Sequence, residues 1–168
     1  MLEWGIPELD NVMKKTRKKL DLGELPGHKI RRMHQLVVAL FMNEVQHLGL
    51  TPVQFSSLHT ICSRPGIDQK TLCQSIGYDT STIGGVIDRL ESRGLVKREM
   101  AAHDRRVRLI TATAEGHAML EQVLPCVLRS QDRFLQPLSS EDQATLMRLM
   151  QTLIDANKEL SSIPTRAS

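Results

Sequence analysis

Three features of this sequence predict a mainly α fold. That fold is a helix-turn-helix with a small β-hairpin wing, flanked by long N- and C-terminal dimerisation helices. The first feature is composition. Only 3% of the 168 residues are aromatic, which disfavours the β-sandwiches and barrels that lean on such side chains, and Leu, Met, Ala, Gln and Arg dominate. The second is a pair of short helical patterns meeting at a glycine-containing turn, Gln69 to Ile76 and Thr80 to Arg93, with Gly77 between them. The third is a pair of strand-like stretches immediately afterwards, Leu95–Arg98 and Val107–Thr111, enclosing the polar tip from Ala101 to Arg106.

The elements follow in order. Residues 1–27 are poorly patterned and end in the break Leu25-Pro26-Gly27. From His28, the positions Ile30, Met33, Val37, Leu40, Phe41, Val45 and Leu48 keep helical spacing up to Gly49. Thr51-Pro52-Val53-Gln54 combines an N-cap, a first-turn proline and a capping-box glutamine. The helix it starts buries Phe55, Leu58, Ile61 and Cys62 and stops at Pro65-Gly66. Asp68 caps the short helix that Gly77 closes, and Asp79 or Thr80 caps the one that Gly94 closes. After the hairpin, Thr113 caps a helix to about Gln136 that Pro125 should kink. Ser139 caps the last helix, with Leu146, Leu149, Met150, Leu153, Ile154 and Leu160 on one side. The apolar faces of these last two helices are too long for a small domain to hide unaided and read as an interface. The chain thus divides into a basic extension (1–27), a dimerisation helix (28–50), the winged helix-turn-helix (51–112), two further dimerisation helices (113–160) and a tail (161–168).

The formal charge of +3 says little until it is resolved by region. Lys14 to Lys19 holds five bases in six residues, either a solvated end or an arm for a polyanion. Arg89 to Arg108 carries seven bases against three acids, a net of +4, whereas Ser130 to Leu160 carries a net of −2. A local concentration of positive charge is what phosphate binding needs. Other classes drop out. The longest apolar run, Leu36 to Met42, has seven residues, far short of the roughly 20 that span a bilayer. Cys62, Cys73 and Cys126 are odd in number and widely spaced, which excludes a disulfide framework and suits a reducing cytoplasm. No phosphate loop, paired-carboxylate motif or nucleophile signature supports an enzyme. His59 and Cys62 lie one helical turn apart, but two ligands make no metal site, and no cofactor is expected.

Within Thr80–Arg93, the residues Ile83, Val86, Ile87 and Leu90 fall on one side and must face the core. Ser81, Gly85, Asp88 and Ser92 lie opposite, with Thr82 and Arg89 on the flank. Thr80, Ser81, Thr82, Gly85 and Arg89 are therefore candidates for contact with the major groove of duplex DNA. Gly84-Gly85 costs about 1 kcal/mol per residue relative to Ala inside a helix. Either a close approach of backbone to DNA or tight helix–helix packing would explain it. At the hairpin tip, Asp104 can hold an arginine extended, and an arginine there, Arg105 or Arg106, can enter a narrow minor groove.

From about His28 to Leu160 the chain resembles the MarR family of bacterial winged-helix transcriptional regulators. The likeness lies in Asp104-Arg105-Arg106, in Leu109-Ile110-Thr111-Ala112-Thr113-Ala114-Glu115-Gly116, and in Asp88-Arg89-Leu90-Glu91-Ser92-Arg93-Gly94-Leu95-Val96. The resemblance implies an obligate homodimer built by the first and last two helices, with paired winged helices reading a palindromic operator in double-stranded DNA. It also implies that Asp104 orients Arg106, the minor-groove arginine. Leu25 to Arg32, Thr51 to Phe55 and Pro65 to Gln69 are similar to a branch of the family that controls catabolism of aromatic acids, nicotinate-type compounds included.

The resemblance further implies a small aromatic carboxylate effector, bound between dimer core and winged helix, that releases DNA. His28, Arg31, Arg32, His34, Gln35 and His59 are the candidate residues for its pocket, where an arginine or histidine could pair with the carboxylate. Each could equally be an ordinary surface side chain. The reading is a ligand-responsive repressor. Its rivals are a winged-helix DNA-binding or docking factor without ligand sensing, and a redox sensor working through cysteine. The family's oxidant sensors carry that cysteine in the first helix, and this chain has none before Cys62.

Overall fold

The computed structural model describes residues 21–100 and 108–157, which fall in two compact units that meet between Leu36 and Val37. In the first, the Asp21 carboxylate accepts from the Gly23 amide at 2.9 Å and starts a single 3-10 turn, Leu22–Glu24. Helix α1, Pro26–Val45, begins at once. The expected break at Pro26-Gly27 is instead the first turn of the helix, because a proline at the first helical position loses no bond that the helix would have made. Ile30 and Leu36 are exposed on it.

The second unit opens with the last turns of α1, which bury Phe41 and Val45. A 3-10 turn, Gln46–Leu48, extends the helix until Gly49, left-handed at φ 64°, stops it. Helix α2, Pro52–Ser63, starts from the expected capping box: the Gln54 amide donates to the Thr51 hydroxyl at 3.3 Å and the Thr51 amide to the Gln54 side chain at 2.9 Å. Helices α3, Gln69–Ile76, and α4, Thr80–Ser92, make the helix-turn-helix. Strands β2, Val96–Met100, and β3, Arg108–Ala112, form the described part of the wing. Helix α5, Ala114–Leu135, continues through Pro125 as one helix, and α6, Ser140–Ala156, closes the described chain.

One element was not foreseen. Ile67–Asp68 forms a strand, β1, which pairs antiparallel with β3 so that Ile67 faces Ile110, giving a three-stranded sheet in the order β1-β3-β2. Two residues are too few to show alternation, and their partner lies far along the chain. Asp68 serves twice, as a strand residue opposite Leu109 and as the cap of α3, where it accepts from the Thr71 amide at 3.0 Å.

The core is continuous across these elements. Leu58 and Ile61 of α2, Leu72 of α3, Ile83, Ile87 and Leu90 of α4, and Ile110 of β3 are fully buried. Each contributes roughly 1.5–3 kcal/mol of hydrophobic free energy. The stripe predicted for α4 is therefore its buried face. Helix α6 differs, since it buries none of its residues and leaves Met147, Leu149, Leu153 and Ile154 exposed.

Gly116, in the first turn of α5, shows how close the elements come. A Cβ there would run into the Leu95 carbonyl oxygen, just past the end of α4. The Thr113 amide donates to that carbonyl at 3.1 Å, and the Thr113 hydroxyl donates to the Gly94 carbonyl at 2.6 Å.

Candidate nucleic-acid interface

With one side of α4 committed to the core, its other side is the surface the helix can offer to a partner. Thr80, Ser81, Thr82, Asp88, Arg89 and Ser92 are exposed there, and Gly84 and Gly85 are half-buried. The ten residues from Thr80 to Arg89 span about 13 Å along the axis. Ser81, Thr82, Gly85 and Arg89 thus fall on the side away from the core or on its flank, and Thr80 is exposed in the first turn.

Asp79 organises the start of that face. Its carboxylate caps α4 by accepting from the Thr82 amide at 2.8 Å. It also accepts from the Ser81 hydroxyl at 2.7 Å and the Thr82 hydroxyl at 2.6 Å. Those hydroxyl bonds, chiefly the one from Thr82, hold the Asp79 carboxyl far below the ordinary carboxylate range. The group is ionised at neutral pH, so the hydroxyls must be the donors. A hydroxyl has one proton and two lone pairs. With their protons committed to Asp79, the Ser81 and Thr82 hydroxyls keep lone pairs that can accept from base amino groups rather than donate to phosphate oxygens. Sequence reading placed the hydroxyls but missed this polarity, whose signal was the run Asp79-Thr80-Ser81-Thr82 itself.

The two glycines separate. A Cβ on Gly84 would lie 3.4 Å from the Gln69 side-chain nitrogen, which donates to the Thr80 carbonyl at 3.0 Å and ties α3 to α4. A Cβ on Gly85 would meet nothing within 4 Å. Among the described residues, helix packing thus gives Gly84 a close neighbour and Gly85 none.

Arginines that counted only as charge in the sequence prove to hold the frame. Arg98 of β2 donates to Asp88 and to Glu91 of α4, each at 2.6 Å, and its amide donates to Glu91 at 3.1 Å. Its side chain is 17% exposed against 66% for Asp88. Burial pushes the guanidinium pKa down, but its bonds to Asp88 and Glu91 outweigh that and leave it above its ordinary value. Arg93, the C-cap of α4, donates to the Gly49 carbonyl at 2.7 Å and the Leu48 carbonyl at 3.0 Å. No local pattern announces either contact, because each partner lies in another element.

Asp104, Arg105 and Arg106 lie outside the described residues, as does the basic run Lys14 to Lys19. The effector candidates divide. His28, Arg31, Arg32, His34 and Gln35 are exposed on α1 in the first unit, and His59 is exposed on α2 in the second. The His59 ring lies 5.9 Å from that of Phe55, which lies 5.9 Å from Phe41, so three rings run from the surface into the second unit. Among the described residues no group of three His, Cys, Asp or Glu could hold a metal. Burial pushes the Cys62 and Cys73 thiols up, which keeps them protonated and poorly reactive at neutral pH.

Comparison with known proteins bears on the same segment. A family model described as "MarR family" matches residues 48–107. The transcriptional regulator HosA of Escherichia coli O127:H6 is 32% identical over 128 residues, 76% of this chain and 93% of that protein. A structure of Bordetella bronchiseptica BpsR, titled for regulation of its DNA binding by 6-hydroxynicotinic acid, superposes with a TM-score of 0.77. It is 27% identical and covers 80% of this chain and 96% of its own. The repressor CouR bound to a 23-mer DNA duplex superposes with a TM-score of 0.75 at 30% identity, covering 81% of this chain and 96% of its own.

The carboxyl shifts set an acid limit on stability. The Asp79 and Asp68 carboxyls are lowered chiefly by their hydroxyl bonds, and Glu44 by hydrogen bonds from Arg133 and Arg129. A carboxyl whose folded pKa is depressed stabilises fully above its unfolded value, near pH 4, and progressively less as pH falls below it. Urea midpoints for wild type and Asp79→Ala should differ by a constant amount from about pH 5 to 8 and converge from about pH 4 downward. A gap that does not narrow between pH 4 and pH 2 would show that the cap acts without its charge.

Proposed function

We propose that this chain, which belongs to the MarR family, is a homodimeric repressor that reads a palindromic operator and is released by a small aromatic acid. As a MarR-family transcriptional regulator it binds DNA and is not an enzyme. The observation that carries the finer reading is the outward side of α4. It combines a glycine that no contact among the described residues requires with hydroxyls whose protons are committed to Asp79. In this reading α4 enters the major groove, with Thr80, Ser81, Thr82, Gly85 and Arg89 against the DNA. The wing reaches the adjacent minor groove through Arg106, held by Asp104, with Arg105 beside it.

Dimerisation is supported by the apolar side chains left uncovered on α5 and α6. Leu128 is 62% exposed, Leu153 61% and Ile154 58%. A helix with an apolar side and no buried residue is stable only if something covers it, and a second copy of the chain does so with matching faces. Ligand response is supported by the BpsR comparison and by the chemistry of the candidates. The Phe55 ring, tilted by 45° against that of His59 at 5.9 Å, offers an aromatic ligand a surface to pack on.

A duplex selected by the wild-type protein from a random pool tests the contacts by fluorescence anisotropy. Gly85→Ala should keep or raise the urea midpoint, since the added methyl has room and removes about 1 kcal/mol of helix cost. It should nevertheless weaken that duplex about tenfold or more; unchanged affinity would remove Gly85 from the interface. Arg106→Ala should leave the fold intact, weaken binding and reduce the salt slope by about one. Titrating nicotinate, 6-hydroxynicotinate and benzoate into the complex should release DNA with at least one of them and raise the melting temperature of the free protein. Release by none would end the sensing half of the proposal.

A further inference from the structure

Arg93 does more than close α4. Its amide donates to the Arg89 carbonyl at 3.2 Å, so the backbone belongs to the helix end. Its guanidinium crosses to a segment more than forty residues earlier and meets two successive carbonyls, Leu48 at 3.0 Å and Gly49 at 2.7 Å. These stand at the end of the 3-10 turn that continues α1, where helix carbonyls lack partners and the peptide dipoles leave a partial negative charge. Gly49 makes the reversal possible through its left-handed backbone.

Helix α2 packs against α4, and Leu58 and Leu90 lie buried in the core that the two share. Such packing is non-directional, whereas a planar fork on two carbonyls also fixes rotation. Arg98 ties α4 to the wing in the same fashion through Asp88 and Glu91. The two arginines thus have different errands: Arg98 joins helix to wing, and Arg93 joins helix to the end of α1.

We propose that Arg93 is a positioning residue that sets the orientation of the recognition helix against the end of α1, and through it the half-site spacing the dimer accepts. This rests on the dimeric operator reading given above. If α1 belongs to the dimer core, the path from one recognition helix to the other passes through both forks. Loosening them lets each helix adjust to displaced half-sites, and discrimination between spacings falls. The alternative errand for an exposed arginine near the DNA-facing side is a phosphate contact, which would weaken every spacing alike.

The test uses the selected duplex and two derivatives with one base pair inserted or removed between the half-sites. Each change shifts the half-sites by about 3.4 Å and turns them by roughly 35°. Affinities are measured for wild type, Arg93→Gln and Arg93→Lys at several salt concentrations. The Lys variant keeps the charge but not the fork, and it serves if the Gln variant does not fold. The expected result is that both variants lose about tenfold in the ratio of native to altered spacing, with the salt slope of Arg93→Lys unchanged. If wild type discriminates and both variants keep its ratio, the positioning role is overturned and the dimeric reading stands. If Arg93→Gln weakens all three duplexes equally and lowers the salt slope by about one, while Arg93→Lys behaves as wild type, Arg93 is a phosphate contact. A wild-type protein that binds all three spacings alike overturns both the dimeric reading and the positioning role.

Discussion

The junction at Gly94 and Leu95 is the constraint on which the arrangement of the winged helix depends. Gly94, left-handed at φ 71°, ends α4, and the Leu95 amide closes back on the Leu90 carbonyl at 2.9 Å. The carbonyls of the same two residues then receive the hydroxyl and amide of Thr113, so the chain leaves the hairpin at the point where it entered. Helix α5 starts against this point with a glycine, since the Leu95 carbonyl occupies the space a side chain would need. The end of α4, the base of the wing and the start of α5 are therefore one structural unit. Its directions are set by backbone hydrogen bonds and steric exclusion more than by side-chain packing.

Around that unit, charged groups act mainly as ties. Glu44, near the end of α1, accepts from Arg129 at 3.1 Å and Arg133 at 2.8 Å and so links α1 to α5. Asp79 orders the hydroxyls at the start of α4, and Arg98 and Arg93 hold its later turns to the wing and to the end of α1. The net positive charge of the middle of the chain consequently overstates what is available to DNA. Part of it already faces carboxylates or carbonyls, which favours reading by shape and hydrogen bonding over adhesion by charge alone.

The helical elements were legible because their signals are local. Thr51 with Gln54, Asp68, Asp79, Thr113 and Ser139 cap the helices they were expected to start. The stripe Ile83, Val86, Ile87 and Leu90 is buried as its spacing requires. Errors arose where a local signal had two meanings or a short element had a distant partner. Pro26-Gly27 reads as a break, although proline suits a first helical turn. Strand β1 exists only because β3 lies beside it. In the candidate interface, the outward face of α4 followed from periodicity. The polarity of Ser81 and Thr82 and the different surroundings of Gly84 and Gly85 did not, because both depend on where other atoms sit.

The sequence by itself determined the helices and the wing strands, their order, the core face of α4 and the basic character of the middle segment. All of these rest on spacing, capping and turn chemistry within a few residues. The tertiary structure alone decided, among the described residues, that Gly116 must be bare and Gly85 need not be, that Arg98 and Arg93 are structural ties, and that α6 leaves apolar side chains exposed. These properties belong to pairs of elements brought together by a shared hydrophobic core. The contact between Arg93 and Leu48, 45 residues apart, leaves no trace in the neighbourhood of either one.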